Sequence, residues 1–452
     1  MKIQIHNSND RVPSGGQNTG AVLIIVMWIS FGLICLALYF GHSMSFELRA
    51  ADNREASAEA DQAIEGAARY VTLVLSNNLG YLPDIQTYQS EAVPVGKGLF
   101  WIIGRADNDN ASSATVPTFG LIDEASKLNL NTAAYTNLVY LPYMTIDLVA
   151  SILNWEGRTN ETSSLGGAMD TSYSTLKPPY YMKGTNFESV FELRMVYGMT
   201  TDILFGEDAN LNGVLDPNEN DGDVTPPVDN RDGRLDPGLL EYLTVYTSDP
   251  NLDTNGNARV SVNDSSSLLS ALTNKLSTDL ASKVVSAATG TTFTSMAQFY
   301  NKVSSVLTVS DFEKVADSLA VNTNSPIKGL INVNTASALV LASLEGFTSD
   351  MANELVAYRR NNPTSLKTIA WVATVLSTNI PASASNLTTH SYQFTADIAA
   401  VGHQNRGYKR IRFVFDTSTG IPQIIFRQDL SYLGWALGSD VRNQILTSKE
   451  TR

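Results

Sequence analysis

Residues 21–40, AVLIIVMWISFGLICLALYF, contain no charged residue and no proline. Wound as an α-helix, such a stretch is about 30 Å long, the thickness of one hydrocarbon core. No proline follows until Pro83. Beyond Glu47 the chain becomes charged yet keeps a helical pattern. Ala60, Ala63, Ile64, Ala67, Val71, Val74 and Leu75 recur at three- and four-residue spacing, while Glu59, Asp61, Glu65 and Arg69 mostly face away from them. The pattern predicts one helix of about sixty residues, part in lipid and part outside.

Three readings of this N-terminus compete. A cleaved secretory signal calls for a basic start, a shorter apolar stretch and a small-x-small site after it. Here the polar leader carries only Lys2 and Arg11 as firm cations, and Ser43-Met44-Ser45 is the one small-x-small candidate. An ordinary single-span anchor is compatible with the span alone. The junction favours the third reading: Gly20, then Ala21 and the apolar run, resembles the type IV prepilin signal. In that family a membrane peptidase cuts after the glycine and methylates the new N-terminus. Most pilins and pseudopilins carry glutamate at the fifth residue after the cut, where it pairs with the free amine of a neighbouring subunit. This chain has Ile25 there. A carboxylate in lipid costs roughly 3 kcal/mol or more without a partner, so a subunit with nothing assembled ahead of it is better served by an apolar residue. Gln17-Asn18-Thr19 also stand where basic residues usually crowd the glycine.

The chain has 452 residues, ample for two domains and an anchor, and a formal charge of −14. That acidity argues against a nucleic-acid partner, which requires a basic footprint, and suits a cation-binding exterior. The single cysteine, Cys35, lies in the apolar span, so no intramolecular disulfide can form and metal ions are the more plausible staple for an exported domain. Lys2 and Arg11 place the leader inside and the folded bulk outside.

After the long helix, a loop through Gly80, Pro83 and Pro94 leads to strand-like stretches at 99–103 and 119–122. Far downstream, Tyr392, Phe394 and Ile398 continue this style. Ile411, Phe413 and Phe415 share one strand face, with Arg412 and Val414 on the other. Residues 416–420 turn the chain into 423–427 as a hairpin. An α+β fold is predicted, a long helix on an antiparallel sheet interrupted by a large, mostly helical insertion. The divisions are leader 1–20, membrane helix 21–41, amphipathic helix 42–79, sheet 80–130, insertion 131–385, sheet 386–445 and tail 446–452.

An internal repeat brackets the insertion. Residues 128–133, LNLNTA, match 331–336, INVNTA, and the register continues to Leu141 on Leu344, Thr145 on Thr348, Leu153 on Val356 and Trp155 on Tyr358. In each copy an Asn-Thr pair is expected to cap a short helix, with a second helix beginning near Thr145 or Thr348. LRMVYGMT at 193–200 is a partial third echo. These units resemble helix–hairpin–helix motifs. The first hairpin lacks glycine, the second carries Glu345, and nearby cations are limited to Arg158, Arg359 and Arg360, which favours packing over DNA binding. The Ser/Thr/Asn/Gly-rich stretches 159–185 and 247–267 are expected to be surface loops.

The sharpest local signal is residues 208–219, DANLNGVLDPNE. Asp208, Asn210, Asn212, Asp216 and Glu219 place side-chain oxygens at positions one, three, five, nine and twelve, Gly213 stands at six, and the Val214 carbonyl supplies seven. This is EF-hand spacing: a hard cation wants six to eight oxygens, and glycine permits the turn that gathers them. Three carboxylates predict an affinity on the order of 0.1–1 mM. Leu215 is expected to face the core, and Pro217 to leave the loop without a following helix. The competing reading is a solvated Asx-rich turn. A second acidic cluster, Asp221, Asp223, Asp229, Asp232 and Asp236, is a candidate for a second ion, because Asp232-Gly233-Arg234-Leu235-Asp236 echoes the first loop's centre.

Catalytic motifs are absent from the sequence: no HExxH, GxSxG, phosphate loop or CxxC occurs. The four histidines, His6, His42, His390 and His403, read as surface or packing residues, and no enzyme is predicted.

Taken in order, the Gly20–Ala21 junction, Ile25, DEASKLNLNTA at 123–133, the INVNTA repeat and the helical insertion resemble the general secretion pathway protein K family. These are K-type minor pseudopilins of type II secretion. The resemblance implies a pseudopilin fold and a tip complex with the I- and J-type minor pseudopilins. It further implies contact with the major pseudopilin, processing by a prepilin peptidase, and a calcium-binding region. It also implies a single-pass protein of the bacterial inner membrane with its C-terminal part in the periplasm, helping to initiate the filament. The alternatives are a tip minor pilin of a type IV pilus and a membrane-tethered DNA-uptake receptor.

Overall fold

The computed structural model describes residues 19–105 and 117–450; leader residues 1–18 lie outside the described residues. The chain divides into two units between Glu55 and Ala56. The predicted helix is present as Thr19–Ser76. Within the first unit it is long and apolar enough to cross a membrane. Its large apolar side chains from Val22 to Phe40 are all more than half exposed, as a lipid-facing surface requires.

In the second unit the helical stripe is buried as its spacing predicts: Ala60, Ala63, Ile64, Ala67, Val71 and Leu75 are essentially inaccessible. They pack on a six-stranded antiparallel sheet of β1 (Val93–Val95), β2 (Gly98–Ile103), β3 (Ile122–Asp123), β4 (Gln393–Val401), β5 (Lys409–Asp416) and β6 (Gln423–Asp429), ordered β1-β2-β4-β5-β6 with β3 also on β4. Phe100, Ile102, Phe394, Ile398, Ile411, Phe413 and Phe415 meet the helix. The opposite face is covered as well, Trp101, Ile103, Ala399 and Val401 packing under Ala436, Leu437 and Val441. Consequently β4 is buried along its whole length, Asp397 included. The 416–420 hairpin forms as predicted, joining β5 to β6. The stretch predicted at 119–122 is shorter: Phe119 makes one bridge to Ile103, and the strand is only Ile122–Asp123.

Between Leu128 and Leu387 a separate apolar core gathers short helices. The repeat is real in three dimensions. Leu128–Asn129 pairs in parallel with Leu243–Thr244, and Ile331–Asn332 pairs in parallel with Leu387–Thr388. Asn131 and Asn334 donate to the Phe187 and Leu366 carbonyls, each at 3.0 Å. Arg158 and Arg359, at non-equivalent positions, both donate to the equivalent carbonyls of Ala133 and Ala336. Second helices start where expected, with Thr145 capping Ile146–Trp155 and Thr348 capping Ser349–Asn361; Thr200 caps Thr201–Phe205 in the third copy. The first helices are capped differently from prediction. Their N-cap residues are Ala134 and Ser337, because Asn129 and Asn332 turn their side chains back on the main chain and hold the Asn-Thr pairs in a tight turn.

Both expected surface loops lie mostly at the surface, with short regular elements set into them. Residues 159–185 contain helical turns at Thr159–Thr162 and Asp170–Tyr173, and Tyr173 is fully buried against Trp155 and Tyr180. Residues 247–267 form short strands, Ser248–Asp249 on Ile327–Lys328 and Val260–Ser261 on Leu319–Ala320. The short elements escape composition because a few of the polar groups are buried with partners, as in Asn129 Nδ2 to Thr247 Oγ1 at 2.7 Å and Arg259 to Asp249 at 3.2 Å.

Candidate metal centre

The segment 206–238 is pinned by a close main-chain crossing. Glu207 N donates to Asp236 O at 2.9 Å and Gly238 N to Phe205 O at 3.0 Å. Gly206 has φ +62, and a β-carbon there would run into the Asp236 and Gly238 main chain, so glycine is required. From this crossing the chain makes two successive loops.

In the first, the predicted residues are tied together by hydrogen bonds. Asp208 accepts from the Asn212 and Gly213 amides, both at 2.9 Å. Asn210 Oδ1 takes Asn212 N at 3.0 Å, and Asn212 Oδ1 takes Val214 N at 2.8 Å. Both carboxamides donate to Asp216 Oδ2, Asn210 at 2.7 Å and Asn212 at 3.1 Å. Glu219 closes the ring, its two oxygens accepting Ala209 N and Asp216 N at 3.0 Å each. Only a 3₁₀ turn, Pro217–Glu219, follows, and the preceding helix ends at Phe205. Leu215 departs from its expected role. It is half-buried, and Leu211 and Val214 face the interior instead, because the left-handed Leu211 (φ +56) rotates the pattern.

Asp208 and Glu219 are almost wholly buried. Burial, reinforced by Asp208 and Asp216, pushes the Glu219 carboxyl up to about 8, and burial likewise raises Asp208. Three carboxylates and two carboxamides linked in one short loop, two of the carboxylates buried and raised by that burial, are a donor set that suits a hard divalent ion.

The second cluster is sorted by the structure. Asp229 accepts the Asp221, Gly222 and Arg231 amides at 2.7–2.8 Å, and Asp221 accepts both the amide and the hydroxyl of Thr225, so these two brace the main chain. Asp223 is exposed. Asp232 and Asp236 instead meet two residues absent from the predicted set. Asn230 Nδ2 donates to Asp236 Oδ2 at 3.0 Å, repeating the Asn210–Asp216 bond at the same spacing. Glu207 accepts Asn230 N at 3.3 Å and Asp236 N at 3.0 Å, as Glu219 accepts Ala209 N and Asp216 N. Glu207 thus occupies for the second loop the place a twelfth-position glutamate would take. It lies 29 residues before Asp236, beyond the reach of any loop-spacing rule.

Two of the histidines have packing partners: His390 Nε2 lies 3.0 Å from the Tyr81 hydroxyl, and His403 Nδ1 lies 2.6 Å from Glu59. Burial and Arg259 lower His390 to about 4, so it is neutral at neutral pH.

Residues 124–205, which hold the first repeat, the partial third and the approach to the 206–238 segment, match the family model described as type II secretion system protein K. That segment of the chain is similar to the family. The long helix on an antiparallel sheet is the arrangement the sequence resemblance led one to expect. No curated protein matches the chain. Among solved structures, a chain of the GspK-GspI-GspJ complex from the enterotoxigenic Escherichia coli type 2 secretion system is similar at 12% identity. The similarity covers 85% of this chain and 98% of that one, with a TM-score of 0.40.

Proposed function

We propose that this protein is a K-type minor pseudopilin that sits at the tip of the type II secretion pseudopilus and helps start its assembly together with the I- and J-type minor pseudopilins. The observation that carries the tip position is Ile25. Placed in lipid five residues after the Gly20–Ala21 junction, it leaves the subunit with no carboxylate to seek an amine above it, the condition of a first subunit. In this reading the leader through Gly20 stays cytoplasmic until a prepilin peptidase removes it and methylates Ala21. The helix remains in the inner membrane, and the second unit acts in the periplasm without catalysis while the major pseudopilin assembles below. Intact-mass analysis of the full chain, expressed with and without the peptidase and its I and J partners, tests this. A peptidase-dependent, methylated Ala21 N-terminus and co-isolation with both partners are expected. An unchanged Met1 N-terminus in both cases would overturn it.

The same reading includes calcium. Asp208, Asn210, Asn212, the Val214 carbonyl, Asp216 and Glu219 hold one ion, and Glu207, Asn230, Asp232 and Asp236 a second, with Asp221 and Asp229 shaping its loop. The ions would supply charge neutralisation and fix the crossing of 206–238, replacing the disulfides this chain lacks. Chelator should open the segment to protease; resistance unchanged by chelator would overturn this part.

A further inference from the structure

The first metal loop rests on the most deeply buried charges of the sheet. Asp397 on β4 and Arg410 on β5 are both 0% exposed. Arg410 Nε and Nη2 bind the Asp397 oxygens at 2.7 and 2.8 Å, and Arg412 adds a third bond at 2.8 Å. Burial opposes ionisation of Asp397, but the two guanidiniums prevail and hold its carboxyl well below the usual range. The carboxylate also fixes the Arg410 fork, because planar bidentate pairing leaves a guanidinium no rotational freedom.

The remaining N–H groups of Arg410 reach the main chain of the loop: Nη1 donates to Asn210 O, and Nη2 also donates to Leu211 O at 2.7 Å. Arg105, just past the end of β2 and anchored to Glu241 at 2.9 Å, gives a second bond to Leu211 O at 3.0 Å. Neither carbonyl is one of the loop's ligand atoms, so the guanidiniums hold the backbone without competing for the ion. They also bear on Leu211, whose left-handed φ of +56 is unfavourable for a residue with a β-carbon and is kept only by its surroundings.

We propose that Arg410 and Arg105 are positioning residues for the first metal loop, and that through them calcium binding and the order of β4 and β5 form one linked equilibrium. This rests on the calcium reading above. If the sheet's buried triad holds the loop in its binding shape, then by reciprocity a bound ion steadies the strands that carry the triad.

The test uses the full chain in detergent, unaltered and as Arg105→Lys and Arg410→Lys. Lysine keeps the charge near the ion but has no fork to span a carboxylate and a carbonyl, so geometry alone changes. Calcium is titrated by calorimetry, and hydrogen exchange of the β4 and β5 amides is followed with and without it. In the unaltered chain calcium should slow exchange in both the loop and the strands. Each variant should bind calcium about tenfold more weakly, as removal of supporting hydrogen bonds does at metal sites, and should lose the calcium-dependent protection of β5. Arg105 sits at the sheet margin, so Arg105→Lys carries the test even if Arg410→Lys fails to fold. The inference is overturned if calcium protects the loop alone, or if Arg105→Lys binds as tightly as the unaltered chain. Failure of the unaltered chain to bind calcium would overturn the calcium reading and this inference with it.

Discussion

Glu219 is expected to carry the pH dependence of the 208–219 loop. Its folded carboxyl titrates near 8, raised by burial first and by Asp208 next, against an ordinary value of 4.5. Between those values the folded, metal-free chain holds a proton that the unfolded chain has released, so its stability falls as pH rises, by at most ~1.4 kcal/mol per unit. Urea unfolding in chelator should therefore give a lower midpoint at pH 8 than at pH 5.5. Glu219→Gln should flatten that dependence and be the more stable protein at pH 8 without metal. Calcium must displace the same proton, so affinity should climb with pH across this window in the unaltered chain. The Gln variant should bind at least about tenfold more weakly, with a flatter profile, by calorimetry. At the crossing, Gly206→Ala should expose 221–236 to protease even in calcium, since the added methyl pushes Asp236 away from Glu207.

Among the elements, the three hairpins share a left-handed residue: Gly198 (φ +88), Gly346 (φ +81) and, in the first copy, Tyr143 (φ +61). Tyrosine in that region costs about 1 kcal/mol or more. Tyr143→Gly should consequently raise the urea midpoint by an amount worth about 1 kcal/mol, an unusual stabilisation from removing a large side chain. On the long helix, Ile64 is fully buried against the sheet, and Ile64→Ala should destabilise the second unit by 2–5 kcal/mol, about the range for such cavities, in the same assay. The repeat itself was readable from LNLNTA and INVNTA because its asparagines make the same local bonds in each copy. The caps were not readable, since whether an asparagine caps a helix or closes the turn before it depends on where the neighbouring carbonyls lie.

For the molecule as a whole, Ile25 discriminates between a first subunit and an internal one. Ile25→Glu would put a carboxylate in lipid at a cost of roughly 3 kcal/mol or more unless an amine lies above it. A tip subunit should accordingly show weaker membrane accumulation and reduced co-isolation with the I and J types. Improved incorporation into the filament would instead assign it an internal place.

Periodicity and spacing along the chain determined the long helix with its buried stripe, the β5–β6 hairpin, the repeat and the oxygens of the first loop. In each of these the interacting groups lie within a few residues of one another or share one face of one element. Only the tertiary structure decided that Glu207 serves the second loop, that Asp221 and Asp229 brace main chain, and that Leu211 and not Leu215 turns inward. It alone brought Arg105 and Arg410 beneath Asn210 and Leu211. The contacts of Glu207, Arg105 and Arg410 join residues far apart in the chain, and a buried charge selects its partner by the position the fold gives it, which no local pattern encodes.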